Sequence, residues 1–265
     1  MIRPASPGRR IVSLVPSLTE ALFSLGLEAR LVGVTEWCVH PAEGVARLPR
    51  LGGTKNPDVP GILALEPDLV IANREENRPR DVRRLEEAGI PVWVTYPRTV
   101  AEGVALLREI AGLGASAERI RQVVEPVEAA MTEALCRPAP QLTRVFCPIW
   151  KEPWMAVGAD TYADDLLRLC GGANVFANRG DTGLEAVGRR YPIVRDVQIE
   201  EAAPEVILLP DEPYAFGPAD AAELAALPIP AARSGRIHLI DGTLVSWYGP
   251  RIGRALQSLG ALLRA

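Results

Sequence analysis

The sequence is poor in the side chains that most often carry chemistry. Its 265 residues include only two histidines, four cysteines and 5% aromatic residues. Cys38, Cys136, Cys147 and Cys170 show no CxxC spacing, a pattern more typical of reduced core cysteines than of a disulfide framework. GxGxxG, GxxxxGK[ST], GxSxG and HExxH motifs are all missing. Their absence argues against phosphate-cradling enzymes and triad hydrolases.

Lysine is also scarce, because Lys55 and Lys151 are the only lysines among 29 basic residues. The net charge of −4 and the pI near 5.4 argue against a nucleic-acid surface. No apolar run approaches the ~20 residues that span a bilayer. The first ten residues, MIRPASPGRR, lead directly into a predicted strand without a signal-peptide core. The chain as given therefore predicts a cytoplasmic protein without a membrane span.

The longest helical pattern covers residues 115–137, near the middle of the chain. Its apolar positions recur every three or four residues, which predicts one packed face. These positions are Ile120, Val123, Val124, Val127, Ala130, Met131 and Ala134. Pro126 should bend the helix, because proline removes one backbone hydrogen bond.

Strand and helix patterns alternate on both sides of this helix, and 48% hydrophobic residues can supply a substantial core. The segment PEVILL in the second half follows a helical pattern much as PDLVIA does in the first. We therefore predict an α/β fold with two lobes, each with a mostly parallel sheet flanked by helices, bridged by a single long α-helix. The predicted domains are an N-terminal lobe (1–98), connecting helices (99–137) and a C-terminal lobe (138–265). Ligands of such sheets bind beyond the carboxyl ends of the strands, so the cleft between the lobes is the predicted site.

The few aromatic residues concentrate at predicted strand ends and loops. They include Trp37, Tyr96, Trp150, Trp154, Tyr191, Trp247 and Tyr248. As a set they suggest a shared wall for a large, flat, partly apolar ligand. The alternative is that each loop aromatic covers the core of its own lobe. Trp93 alternates within a predicted strand and is expected in the core.

Two polar segments are further candidates. Residues 73–77, NREEN, follow a predicted strand, and their amides and carboxylates, Glu76 among them, either hydrogen-bond a polar ligand rim or cap the next helix. Cys38 and His40 suggest a thiol nucleophile or a metal pair. However, the other histidine, His238, lies in a strand-like segment, and a closed transition-metal site needs three or four ligands. A loop cysteine and a loop histidine without a metal is the preferred interpretation.

Several motifs together resemble a known family. IVSLVPSLTEALFSLG, LVGVTEWCVHP and GGTKNPDVPGILALEPDLVIANREEN are followed after the long helix by PWMAVGADTYADDLLRLCGGANVF, AAPEVILLP and SWYGPRI. The combination resembles the iron-siderophore and vitamin B12 class of substrate-binding proteins that serve ABC transporters. The resemblance implies two α/β lobes bridged by one rigid helix, a ligand held between them with little hinge closure, and a periplasmic or cell-surface location.

Carried over by position, the resemblance implies ligand-facing residues in each lobe. In the first lobe they are Ser17, Trp37, Thr54 and Asn73, and in the second they are Trp150, Trp154, Tyr191 and Trp247. Vitamin B12 binders have bulky aromatic residues where this chain has Thr54 and Asn73. Zinc and manganese relatives use several histidines, which this chain lacks.

The resemblance also concerns a permease partner. Family members that dock on a permease expose a glutamate seven residues before the proline of each PD[LV]V-type strand. These positions are occupied here by Pro60 and Val197, with Asp58 and Asp196 close by.

The leading hypothesis is a non-enzymatic substrate-binding protein for ABC-type uptake. Its ligand would be cobalamin-like, haem-like or a metal chelate such as a ferric siderophore, with no covalent cofactor, no catalytic residues and no metal site in the protein. The predicted ligand-binding residues are Ser17, Trp37, Thr54, Asn73, Glu76, Trp150, Trp154, Tyr191, Trp247 and Tyr248. The alternative is a cytosolic protein or enzyme that handles corrinoids or metal chelates without docking on a permease. A third hypothesis is a metal-ion receptor that uses Cys38, His40 and carboxylates.

Overall fold

A computed structural model describes residues 8–137, 141–177 and 190–264. These residues form two compact units. The first unit contains the described residues of Met1–Pro97, Glu102–Glu128 and Tyr248–Pro250. The second contains those of Arg98–Ala101, Ala129–Trp247 and Arg251–Ala265. The predicted domain limits at residues 1, 138 and 265 lie outside the described residues. So do residues 1–7 of the N-terminal segment in which no signal-peptide core is predicted.

The first unit is built on a four-stranded parallel sheet in the order β2-β1-β3-β4. Its strands are β1 (Ile11–Ser13), β2 (Leu31–Val34), β3 (Leu69–Asn73) and β4 (Val92–Thr95). Its helices are α1 (Pro16–Ser24), α2 (Ala42–Val45), α3 (Val59–Ala64), α4 (Pro79–Glu87) and most of α5 (Val100–Ala111). All five residues of β3 are buried, as expected for a parallel strand covered on both faces.

The core of the first unit follows the predicted pattern. Strand residues Val12 and Val70 pack with Ile62 of α3 and Leu85 of α4 in one hydrophobic cluster. Trp93 of β4 is 2% exposed, so its predicted core position is confirmed. Helix α3 starts at the position its sequence indicates, because the Asp58 carboxylate accepts a 3.1 Å hydrogen bond from the backbone N–H of Gly61.

The central helix is one helical segment with a change of hydrogen-bond pattern. It consists of α6 (Ala117–Arg119), a π turn (Ile120–Val124) and α7 (Glu125–Cys136). In the π turn the N–H of Glu125 bonds to the carbonyl of Ile120, five residues back. This wider turn ends two residues before Pro126, whose missing N–H is expected to disturb the helix. The predicted apolar face is confirmed, since Val124, Val127 and Ala134 are buried.

The second unit contains a parallel sheet in the order β11-β10-β5-β8. These strands are β5 (Thr143–Phe146), β8 (Gly172–Asn174), β10 (Val206–Pro210) and β11 (Ile237–Ile240). The helices of this unit's described residues, beside the end of α7, are α8 (Tyr162–Leu169), α9 (Asp196–Ala202), α10 (Pro218–Ala225), α11 (Pro230–Ser234), α12 (Thr243–Ser246) and α13 (Ile252–Arg264). Both units thus have the predicted α/β architecture.

The second unit also has an antiparallel sheet that the sequence pattern did not predict. It consists of β6 (Pro148–Trp150), β7 (Trp154–Ala156) and β9 (Ile193–Val194), in the order β6-β7-β9. The chain leaves the parallel sheet after Phe146, so β5 and β6 are two separate strands. Pro148 has no N–H to donate to a ladder, which suits the first position of a new strand.

Candidate functional site

The carboxyl end of the first unit's sheet is lined by small polar side chains. Ser13, Asn73 and Thr95 are the last residues of β1, β3 and β4, and Thr35 directly follows β2. All four are at most 2% exposed. Because the carboxyl ends of parallel strands meet at one edge, these side chains lie together at the place where such sheets bind ligands. We call these four residues, with Ser17 and Tyr248, the polar edge.

Tyr248 closes the polar edge. Its hydroxyl accepts a 2.6 Å hydrogen bond from the Asn73 amide nitrogen, and the side chains of Thr95 and Ser17 also hydrogen-bond it. Burial raises the pKa of the Tyr248 phenol well above its usual value, and the carboxylate of Glu76 contributes to the increase. The phenol is therefore a neutral hydrogen-bonding group at physiological pH.

The loop after β3 is organised by two asparagines. The side-chain oxygen of Asn73 accepts hydrogen bonds from the backbone N–H groups of Glu75, at 2.7 Å, and Glu76, at 3.3 Å. The Asn77 side chain accepts from the N–H of Asn73 at 2.7 Å and donates to the carbonyl of Thr54 at 2.9 Å. These bonds join Asn73, Glu76 and Thr54, three of the predicted ligand-binding residues, in one network.

Trp37 is the exposed aromatic residue beside this network. It follows β2 and its side chain is 64% exposed. A Cβ placed at Gly53 would lie 3.4 Å from the Trp37 indole nitrogen and 2.6 Å from the side-chain oxygen of Asn56. Glycine at position 53 therefore leaves room for the indole to lie against the loop that carries Thr54. Ser17, Trp37, Thr54, Asn73, Glu76 and Tyr248 all belong to the first unit.

Cys38 is buried beneath this edge and is not placed for nucleophilic chemistry. Its sulfur lies 3.1 Å from the Thr19 hydroxyl and 3.2 Å from the Thr35 hydroxyl. Burial raises the pKa of the Cys38 thiol, which disfavours the thiolate that a nucleophile or a metal ligand requires. Within the described ranges, no group of three or more His, Cys, Asp and Glu side chains could hold a metal ion.

In the second unit, Trp150 forms an exposed aromatic corner with Tyr214, a residue that the sequence analysis missed. The two rings are 5.6 Å apart at an interplanar angle of 72°, and Trp150 is 46% exposed. Trp150 ends β6, shortly after β5, and Tyr214 follows β10, so both come after central strands of the parallel sheet. An aromatic residue shortly after an apolar strand was the signal that could have identified Tyr214.

Trp154 lies deeper and joins the core of the second unit. It is 7% exposed and stacks on Phe216 at 5.9 Å with an interplanar angle of 11°. Its indole N–H donates a 3.0 Å hydrogen bond to the Asp196 carboxylate. Phe216 in turn contacts Tyr214 at 4.6 Å. Buried Trp154 thus supports the exposed corner of Trp150 and Tyr214.

Lys151 fixes the turn between β6 and β7. Its ammonium donates hydrogen bonds to Asp220 at 2.7 Å and Glu223 at 2.5 Å, and lies 5.2 Å from the centre of the Trp154 ring. The hydrogen bond from Lys151 lowers the pKa of Asp220. The same turn borders an open groove of about 360 Å³, lined by Lys151, Glu152, Pro153, Trp154, Val194, Arg195, Asp196 and Glu223.

The remaining two predicted residues are less prominent. Tyr191 is half-buried, and its ring lies 5.9 Å from the Arg190 guanidinium. Trp247 is 6% exposed and lies 4.8 Å from the Arg251 guanidinium. The structure therefore brings Trp150 and Trp154 together in one aromatic cluster, while Trp247 packs in its own cation–π contact.

Among the described residues, no helix is both long enough and apolar enough to cross a bilayer.

Known proteins resemble both the sequence and the fold. The vitamin B12-binding protein of Yersinia pestis (strain Pestoides F) is 29% identical over 207 residues, which are 78% of this chain and 71% of the relative. The periplasmic haem-binding protein RhuT from Roseiflexus sp. RS-1, in apo form, has a TM-score of 0.78 at 26% identity, covering 96% of this chain and 97% of its own. The vitamin B12-binding protein BtuF of Vibrio cholerae has a TM-score of 0.79 at 23% identity, with 97% of each chain covered.

The predicted family resemblance is confirmed, and the relatives named above are binding proteins by their descriptions. The family model for periplasmic binding proteins matches residues 11–243, which include both parallel sheets and the central helix. The chain therefore belongs to the periplasmic binding protein family.

Proposed function

We propose that this protein is a non-catalytic substrate-binding protein that takes a cobalamin-like, haem-like or metal-chelate ligand for ABC-type uptake. The observation that carries the proposal is the corner formed by Trp150 and Tyr214. Perpendicular aromatic rings that are partly exposed offer apolar contact area to a flat macrocycle. The descriptions of the similar proteins, which bind vitamin B12 or haem, support the same class of ligand.

The polar edge suits the periphery of such a ligand. Cobalamin carries amide side chains and haem carries propionates, and both groups pair with amides, hydroxyls and backbone N–H groups. Trp37 adds an exposed aromatic surface beside these polar groups. Within the first unit, Ser17, Thr54, Asn73 and Glu76 therefore offer polar contacts and Trp37 offers apolar contact, a combination that small-molecule sites use.

A bare metal ion is a less suitable ligand. Cys38 is buried with a raised pKa, and the described residues contain no suitable cluster of three ligating side chains. We therefore propose that a metal would reach this protein only inside a chelate or macrocycle.

We further propose that the permease partner is contacted without the usual pair of exposed glutamates. The two positions are occupied by exposed Pro60 and by Val197, which is 49% exposed. The nearby carboxylates already have structural roles, because Asp58 caps α3 and Asp196 accepts the Trp154 indole N–H. Apolar contact at positions 60 and 197 would replace the contacts that such glutamates make with a permease.

Equilibrium binding tests the ligand proposal. Tryptophan fluorescence of the purified protein is titrated with cyanocobalamin, haemin and a ferric siderophore, each in a separate experiment. We expect saturable quenching by at least one of them at equimolar stoichiometry. Absence of quenching by all three probes, checked by equilibrium dialysis, would refute the proposed function.

A further inference from the structure

Tyr248 is held by the first unit although its sequence neighbours belong to the second. Residues Tyr248–Pro250 belong to the first unit, whereas Trp247 before them and Arg251 after them belong to the second. Gly249 suits this segment because its φ is +118°, a backbone conformation that residues with a side chain rarely adopt. This short segment thereby brings the Tyr248 hydroxyl into the polar edge.

The hydrogen bond between Tyr248 and Asn73 determines which way the Asn73 amide points. Backbone N–H groups only donate, so the side-chain atom of Asn73 that faces Glu75 and Glu76 must be the oxygen. The nitrogen then faces Tyr248 at 2.6 Å and Thr95 at 3.4 Å. If the Tyr248 hydroxyl were absent, one buried N–H of Asn73 would lose its close acceptor.

We propose that Tyr248 is a positioning residue, whose hydroxyl orients the Asn73 amide and thereby fixes the Glu75–Glu76 backbone at the ligand-binding edge of the first unit. This proposal rests on the proposed function, since it assigns Glu76 to the edge that faces the ligand. Tyr248 is only 7% exposed, so its effect on the ligand passes through Asn73. The sequence pattern predicts a direct ligand contact for Tyr248, whereas its burial favours this indirect role.

Two features make the hydroxyl, and not the ring volume, the effective group. The hydroxyl is the atom that Asn73, Thr95 and Ser17 bond. Moreover, the loop after β3 has no helix to hold it until α4 begins at Pro79. Its geometry depends on the Asn73 and Asn77 side chains, and Asn77 already bonds the Asn73 N–H and the Thr54 carbonyl.

The test uses Tyr248→Phe, which removes one oxygen and keeps the ring. Native-state hydrogen exchange is measured at the backbone amides of Glu75 and Glu76. We expect both amides to exchange about tenfold faster in the variant, because weakening one buried hydrogen bond has about this effect on local opening. The matched control is Tyr162→Phe, since Tyr162 is a comparably buried tyrosine, 5% exposed, that belongs to the second unit. This control should leave both amides unchanged.

A double-mutant cycle separates positioning from a general loss of stability. In an Asn73→Ala background the additional Tyr248→Phe change should have no further effect on the two amides, because the group through which Tyr248 acts is gone. If Tyr248→Phe accelerated exchange of the two amides equally in the wild-type and Asn73→Ala backgrounds, the proposal would be overturned. Unchanged exchange of Glu75 and Glu76 in Tyr248→Phe would also overturn it.

Ligand titrations give the second measurement, with cyanocobalamin and haemin as probes. We expect Tyr248→Phe to lower the affinity for the probe that the wild type binds by roughly three- to tenfold. Faster exchange without any effect on affinity would overturn the assignment of Glu76 to the ligand edge. If the wild type binds neither probe nor a ferric siderophore but the exchange effect is present, the proposed function fails while the positioning role of Tyr248 is supported.

Discussion

The side-chain amide of Asn73 and the hydroxyl of Tyr248 form a 2.6 Å hydrogen bond across 175 positions of the sequence. Asn73 ends β3, whose five residues are all buried, and Tyr248 belongs to the three-residue segment Tyr248–Pro250 of the same unit. The bond therefore holds the segment Tyr248–Pro250 against the end of β3.

Trp150→Ala should weaken ligand binding by roughly ten- to a hundredfold, because a desolvated aromatic contact contributes about 1 to 3 kcal/mol. Affinity is measured by equilibrium dialysis with the probe that wild type binds. Leu142→Ala is the control, since Leu142 is an exposed apolar residue of the same unit, 39% accessible. Equal affinities of the wild type and Trp150→Ala would show that the ligand lies elsewhere.

Trp154→Ala should instead destabilise the second unit by about 3 to 5 kcal/mol, as expected for a buried aromatic residue. The change removes the stacking on Phe216 and leaves the Asp196 carboxylate without its indole donor. Urea denaturation is the measurement, with Trp150→Ala as a reference that should cost about 1 kcal/mol or less because its side chain is half exposed. Similar losses in both variants would contradict the different burial of the two indoles.

Only one of the four cysteines should react with a thiol reagent in the native protein. Cys136 is exposed, whereas Cys38, Cys147 and Cys170 are buried. Burial also raises the pKa of Cys147 and of Cys170 to about 12, so their thiolates are rare at neutral pH. Titration with Ellman's reagent should give one fast thiol and three more after denaturation. The variant Cys136→Ser should lose the fast reaction, and any fast thiol that persists in it would argue against this burial pattern.

The contact of Lys151 with Asp220 should make stability fall at both pH extremes. The hydrogen bond from Lys151 lowers the pKa of Asp220. The ionised Asp220 therefore stabilises the fold above its unfolded-state pKa of about 3.9, and this stabilisation is lost as pH falls through its lower folded-state pKa. Hydrogen bonds to Asp220 and Glu223 raise the pKa of Lys151. The charged Lys151 therefore stabilises the fold fully below its unfolded-state pKa of about 10.4, and this stabilisation is lost as pH rises through its higher folded-state pKa.

The measurement is the urea midpoint between about pH 2 and 5 and again above about pH 10. Lys151→Met should flatten both limbs of the profile. Lys55→Met is the matched control, because Lys55 is the only other lysine and its ammonium bonds the Glu75 backbone carbonyl, a group that does not titrate. The idea fails if the wild type and Lys151→Met have the same pH dependence.

The sequence predicted the parts of the fold that local patterns determine. Apolar runs such as residues 69–73 indicated buried parallel strands, and the stripe that includes Val124 and Val127 indicated the packed face of the central helix. Both signals come from residues a few positions apart, so no tertiary information was needed. The antiparallel pairing of β7 with β6 and β9 was missed, because strands of two or three residues carry little periodicity.

The sequence suggested candidate residues for the site but not how their side chains are arranged. The positions of Trp37, Asn73 and Trp150 after apolar strands were visible in the sequence. That Tyr248 would bond Asn73, and that Tyr214 would meet Trp150, depends on side chains brought together by the tertiary fold. Sequence spacing contains no information about such pairs.

The π turn at Ile120–Val124 has a consequence for comparing this protein with its relatives. A π turn is closed by a hydrogen bond between residues five apart instead of four, so it contains one residue more than an α-helical turn. A relative with an uninterrupted α-helix therefore matches this chain on both sides of the turn only if a one-residue gap is placed within residues 120–124. An ungapped alignment of this helix would shift every subsequent position by one and would assign the apolar stripe of α7 to the wrong residues.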